Sequence, residues 1–329
     1  MKIALTTFIS GEDYQDWIPF ILYSIYKSYP DYHVFIFVDE DVRPDIKSSV
    51  NLIQKHWSNF DIIIGDFSDI RPITRIKAQS LRWVLWDKRF LEYDYLYYID
   101  ADILYIQETI PLHEQHIRHM RFIQSDSVSN IVRQKPLKVK NYYEMYLTLK
   151  NGGGWNLLRY IITPRIFRMS GLHFVKTKEY FSRITPAVIG KYRALIASGK
   201  AWNQTIFPND EALLYKMMQK NGFDLSVFAI QRTSSTMFGF NNPEKREFCP
   251  HHGLHMGLFR SLSGKYADWM IEQLNSEDYK YYISSYIANY LKDELFKTIL
   301  QNSGERVKAK FRFMHEYYNL NHLTPPLNS

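Results

Sequence analysis

Two carboxylates one residue apart, Asp100 and Asp102, sit in an apolar aromatic run that extends from Tyr93 to Tyr105. In extended chain the side chains alternate between faces, so both acids would project to the same side. Like charges placed in this way are costly to bury unless a cation or strong donors compensate them. Hard oxygen ligands of this kind suit Mg²⁺ or Mn²⁺, which bind through one or two carboxylates together with substrate phosphates. The alternative is a strand end at which both acids meet water.

The preceding chain supplies elements that could position the pair. Lys2 to Phe8 reads as a buried strand closed by Ser10-Gly11. Trp17, Phe20, Ile21, Ile25 and Tyr29 recur at helical spacing until Pro30. Val34 to Val38 is a second strand, running into Asp39-Glu40-Asp41. A helix over Pro44 to Trp57 and a strand over Phe60 to Ile64 follow, and Arg75 to Leu91 is helix-like up to the aspartate run. This βαβαβαβ order with near-continuous apolar strands predicts an α/β fold, with a mostly parallel sheet covered by helices on both faces. Ligands of such sheets bind beyond the carboxyl ends of the strands. Thr6, Thr7 and Asp39 are therefore candidates for holding a base and ribose, or else ordinary turn residues. No glycine-rich phosphate loop follows the first strand, which argues against dinucleotide oxidoreductases and P-loop enzymes.

Composition narrows the field further. The chain has 329 residues, 46% hydrophobic and 23% charged, which suits a folded protein with a substantial core. Aromatics reach 16%, and their flat faces suit sugar rings as well as core packing. A formal charge of +7 fits a phosphate-bearing ligand, an anionic membrane surface or nucleic acid. No readable nucleic-acid motif accompanies it, so no nucleic-acid partner is expected. The single cysteine, Cys249, excludes an internal disulfide and multi-cysteine metal sites. Without a secretory leader or a membrane-length apolar window, the expected location is cytoplasmic.

Residues 124 to 163 read as a long irregular segment whose Gly152-Gly153-Gly154 is either a hinge or a surface turn. Arg165 to Val175 reads as a strand pair, or a strand bent at Gly171. Helices are expected from Thr177 and from Asp210, with Asn209 as N-cap. Phe223 to Ile230 reads as strand and Phe238 to Pro243 as loop. Residues 1–260 are expected to form the main domain, and 261–329 a C-terminal helical appendage. The basic-aromatic tail after Glu305 suits either peripheral contact with the inner face of a membrane or packing on the main domain.

With these residues in place, the chain resembles the GT-A glycosyltransferases, and among them family 8, the glycogenin and lipopolysaccharide-galactosyltransferase type. Arg75, Lys77, Leu81 and Arg82 precede Tyr93-Asp94, and Tyr98-Ile99-Asp100-Ala101-Asp102-Ile103-Leu104 is similar to the family's Asp-Ala-Asp strand. Met169-Ser170-Gly171 resembles its Asn-Ser-Gly strand, with Met169 in place of the Asn. Asn209-Asp210-Glu211 resembles its Asp-Gln pair, and Gly239-Phe240-Asn241 its aromatic-Asn loop. His251 to Arg260 stands where the family has His-X-X-Gly-X-X-Lys-Pro-Trp; here Arg260 would serve for the Lys.

The resemblance implies a nucleotide-sugar-dependent transferase. Its donor would be a nucleoside-diphosphate sugar, UDP-hexose favoured, and its acceptor a glycan or glycolipid, with retention of anomeric configuration. Asp100, Asp102 and His255, with His252 as the other imidazole candidate, would hold Mn²⁺ (or Mg²⁺), the imidazole tipping preference to Mn²⁺. Thr6, Thr7, Asp39, Lys77, Asp100, Ala101 and Arg260 would bind the donor, the two cations holding its diphosphate. Asp210 and Glu211 would face the donor sugar, or act as first-turn acids that favour the helix dipole. Rival readings are an inverting transferase, a non-catalytic carbohydrate-binding relative and a nucleotidyltransferase.

Overall fold

The computed structural model describes residues 1–136, 165–199, 209–234, 237–240, 253–260 and 267–320. The irregular segment with Gly152 to Gly154, and also Asn241, His251 and His252, lie outside the described residues.

The central sheet holds β1 (Ile3–Ile9), β2 (His33–Val38), β3 (Phe60–Ile64), β4 (Tyr95–Tyr98), β6 (Val128–Ser129) and β9 (His173–Lys176), in the order β3-β2-β1-β4-β9-β6. The four strands β3, β2, β1 and β4 run parallel, and β9 and β6 add antiparallel pairs. The expected α/β sheet is thus present, mixed at one side. Helices return the chain between parallel strands: Ile18–Ser28 follows β1, Pro44–Gln54 follows β2 and Arg75–Leu81 follows β3.

Alternation of side chains divides the interior into two cores. Leu5, Val34, Ile36 and Tyr97 face one side and pack with Phe20, Tyr23, Tyr286, Phe296 and Phe311. Ala4, Phe35, Leu96 and Tyr98 face the other and pack with Trp83, Tyr180, Leu214 and Met217. Each strand is buried on both faces, which is why it reads as continuous apolar sequence. The first core continues past residue 260 into the helices Glu277–Asn289, Glu294–Asn302 and Glu305–Tyr317. In the last of these Val307, Phe311 and Met314 are buried. These apolar tail residues pack inward, away from any surface.

Several expectations are revised. Arg75 to Leu91 is one short helix followed by 3-10 turns at Arg82–Val84 and Lys88–Glu92. The helix is broken because Leu85 (φ −72°, ψ 136°) and Asp87 (φ −139°, ψ 136°) are extended between the two turns. Phe223 to Ile230 contains the 3-10 turn Leu225–Val227, and the strand, β10, runs from Ile230 to Ser234. Met237–Phe240 is strand β11, not loop. Of the two readings of Arg165 to Val175, two strands form rather than one bent at Gly171, but they do not pair: β8 (Arg165–Met169) joins β11-β10-β7 with β7 (Val132–Pro136), while β9 enters the central sheet. A third, two-stranded sheet pairs β5 (Ile103–Tyr105) with β12 (Gly253–His255).

Candidate functional site

The aspartates are not in a strand. β4 ends at Tyr98, the Ile99 amide still donates to the Thr6 carbonyl at 3.0 Å, and the chain then turns at Ala101-Asp102 before starting β5. The expectation of two acids projecting side by side from extended chain is therefore corrected. A turn at the carboxyl edge of the parallel sheet sends them to different partners.

Asp100 accepts a hydrogen bond from the Arg82 guanidinium. The other guanidinium nitrogen donates to Asp210 at 2.8 Å, and the group lies 4.1 Å from the centre of the Trp83 ring. One cation thus joins two carboxylates, with Asp210 only 6% exposed at the first turn of the helix Asp210–Lys220. Asn209 caps that helix as expected, accepting from the Ala212 amide at 2.9 Å. Gly171 closes on the same group: a Cβ there would stand 3.1 Å from Arg82 and 3.4 Å from Asp100.

Asp102 faces His255, whose Nε2 lies 3.3 Å from the carboxylate. β12 pairs antiparallel with β5, setting His255 opposite Ile103, and the Met256 amide donates to the Asp102 carbonyl at 2.8 Å. Burial pushes the Asp102 carboxyl up, but His255 beside it and Lys310 beyond more than reverse this and hold it at about 2. Gly257 completes the enclosure, since a Cβ on it would lie 2.8 Å from an Asp102 oxygen and 3.1 Å from His255 Nε2.

Lys310 comes from the C-terminal helix Glu305–Tyr317 and donates to the Met256 carbonyl at 2.8 Å. Burial lowers its ammonium below the ordinary lysine value, Asp102 pulls it back up, and Arg260 and Arg306 push it down again. A half-buried ammonium bonded to a neutral carbonyl, near a carboxylate and an exposed arginine, is suited to meeting an anion. The signal for it lay in the sequence: Val307, Lys310, Phe311 and Met314 share one helical face, and a lysine on an apolar stripe needs a reason.

Other candidates are placed differently. Thr6 and Thr7 lie inside β1 rather than at its end, 0% and 1% exposed. Thr6 is level with Tyr98, the last residue of β4, and its Oγ1 is buried without a hydrogen-bond partner. Asp39, just past β2, accepts from Ser10 Oγ at 2.7 Å, while its Oδ1 and Glu40 Oε1 are buried and unpartnered. Such oxygens cost about 1–3 kcal/mol each unless water or a ligand donates to them. Ala101 is on the turn between the acids, and Arg260 is exposed. Lys77 does not face the acids; its ammonium donates to the carbonyls of Ile70 at 2.8 Å and Ala197 at 3.3 Å. Glu211 turns away from Asp210, onto Arg133 at 3.0 Å and Arg168 at 3.2 Å.

Among the described residues no three His, Cys, Asp or Glu side chains gather as a complete metal cage; Asp100 is engaged by Arg82 and Asp102 by His255. A carboxylate and an imidazole at one turn are nevertheless a donor set that a borderline divalent ion accepts when phosphate oxygens supply the remainder.

No family model and no curated protein matches the chain. Solved structures similar to it include the galactosyltransferase LgtC in complex with donor and acceptor sugar analogues, 14% identical over 71% of this chain and 74% of that one, TM-score 0.38. An active-site mutant of LgtC is 13% identical over 85% and 99%, TM-score 0.41. Core-mannan synthase A from Aspergillus fumigatus in its Mn/GDP form is 11% identical over 73% and 74%, TM-score 0.38. At this degree of likeness the functional reading rests on the site itself.

Proposed function

We propose that the chain is a metal-dependent glycosyltransferase that moves a hexose from a nucleoside diphosphate, UDP-hexose favoured, to a hydroxyl of a glycan or glycolipid. The observation that carries this reading is the Asp102–His255 pair at the carboxyl edge of a parallel sheet, with the half-buried Lys310 ammonium beside it. Asp102 and His255 would hold Mn²⁺ or Mg²⁺, which supplies Lewis-acid stabilisation of a departing diphosphate. Lys310, with Arg260 at the rim, takes over the diphosphate contact that Lys77 is not placed to make. Asp39 and Glu40, just past β2, would accept from ribose hydroxyls or base N–H groups, while Thr6 is enclosed within β1.

Asp210 is bonded to Arg82, and Glu211 to two arginines, so both carboxylates are engaged by cations. That supports retention over inversion, with Asp210 orienting Asp100 through Arg82. The test is a thermal-shift and hydrolysis screen of UDP-, GDP- and CDP-hexoses with and without Mn²⁺. A metal-dependent shift and slow donor hydrolysis with one of them is expected, and no response to any of them overturns the reading. For a turned-over acceptor, an α-linkage from an α-donor by NMR supports retention, and a β-linkage makes the enzyme inverting.

A further inference from the structure

A cleft lies at the amino edge of the parallel strands, opposite the edge at which the turn carries Asp100 and Asp102. Helix Ile18–Ser28 carries the chain from the carboxyl edge of β1 back to the start of β2, so Lys27 and Ser28 lie at the amino edge of the parallel strands. Ser28 Oγ donates to the Tyr105 carbonyl at 3.1 Å, which brings the segment after β5 to the same edge. With the helix Glu277–Asn289 these segments enclose a cleft of about 440 Å³, within the roughly 300–1,000 Å³ of small-molecule sites.

Its one cation is paired with a carboxylate, and its one carboxylate is held by neutral donors. Lys27 is paired with Asp293 at 2.7 Å, and Glu108 accepts from Tyr282 at 3.0 Å and Gln115 at 2.7 Å. What the walls offer beyond these are the hydroxyls of Thr109 and Ser285, the amide of Asn289 and the ring of Tyr281. Tyr281 is 43% exposed, and its hydroxyl donates to the Gln107 carbonyl at 2.6 Å, which fixes the ring at the rim. Neutral donors and acceptors beside a fixed, exposed aromatic ring match a ligand with many hydroxyls and apolar C–H faces. An anion would find its natural partner, Lys27, already neutralised. An apolar ligand would have to desolvate Thr109, Ser285 and Asn289 without repaying them.

We infer that this cleft binds a neutral oligosaccharide, at a site separate from the Asp102–His255 centre. The inference stands on the cleft's own geometry and holds whether or not the chain transfers sugar.

The test is saturation-transfer NMR of the full chain with maltohexaose, cellohexaose and laminarihexaose, with inorganic pyrophosphate as the anionic probe followed by 31P line broadening. The expected result is saturable binding of at least one hexasaccharide at a Kd below about 10 mM. Tyr281→Ala and Asn289→Ala should each weaken it at least about fivefold, because each removes one of the few groups that fix the ligand. Thr109→Trp, on an exposed wall opposite that helix, should block it by filling the cleft, with circular dichroism verifying the fold. Adding UDP-hexose and Mn²⁺ should leave the binding unchanged. No hexasaccharide binding, unaltered binding in the three variants, competition by the nucleotide sugar, or pyrophosphate binding in the cleft instead would each overturn the inference. Donor hydrolysis, measured in parallel, reports separately on the transferase reading.

Discussion

His255 and Asp102 face each other at 3.3 Å because β12 pairs back onto β5, so the imidazole reaches the site on a strand far from the aspartate in sequence. If this pair holds the metal, Asp102→Asn leaves the turn intact and removes the anionic ligand. Metal-dependent donor hydrolysis should fall at least about 100-fold in a protein that still folds but melts lower, because the carboxylate held at about 2 by His255 and Lys310 is lost, read by initial rates and calorimetry. Full activity in this variant would remove the centre from the mechanism.

Gly257 gives that pair its space. In Gly257→Ala the new Cβ starts 2.8 Å from the carboxylate, so one partner must shift. The expected cost is about 1–3 kcal/mol in chemical denaturation, as for overpacking elsewhere, together with loss of the Mn²⁺-dependent thermal shift.

Lys310→Met separates binding from stability. A half-buried ammonium that burial disfavours costs the fold something, so melting should hold or rise. Loss of a charge-assisted contact to the diphosphate should raise the donor KM about 10- to 100-fold. Lys310→Arg should recover part of it. A KM unchanged in Lys310→Met would place the lysine outside the donor site.

Arg82 compensates two carboxylates at once, and its side chain is 12% exposed. Arg82→Met should cost about 3–5 kcal/mol by urea denaturation, as expected when a buried pair loses one partner. Adding Asp210→Asn should recover part of that loss, and an additive double mutant would show that the bridge contributes little.

His315 sets an acid limit. Buried against Tyr286, with Nε2 and the phenol oxygen 2.9 Å apart, it is held neutral, its pKa lowered by burial to about 4. In the unfolded chain it takes a proton near its ordinary value of 6.5, so below that pH the unfolded state binds more protons. Stability is therefore fully present above about pH 6.5 and falls as pH drops toward 4, by about 3 kcal/mol from this group. His315→Phe should flatten that part of the pH–stability curve, measured by urea midpoints between pH 4 and 7.

How much of this was legible differs by element. The parallel strands were, because burial on both faces leaves an apolar run that only a covered sheet explains, and Asn209 was, because a cap is a local hydrogen bond. Asp100 and Asp102 were legible as residues but not as geometry. The strand pattern continues through Ile103 to Tyr105, and nothing local says that the chain turns between the acids and enters another sheet. The division of labour between them was decided by Arg82, Gly171, His255 and Gly257, which converge from three separate segments. Lys77 and Lys310 illustrate the same limit: both are lysines on helices that donate to backbone carbonyls, and only packing decides that the C-terminal helix brings Lys310 near Asp102. Periodicity and capping are encoded within a few residues of chain. The compensation of a buried charge depends on whatever the fold brings within a few ångströms, and that is a property of the tertiary structure alone.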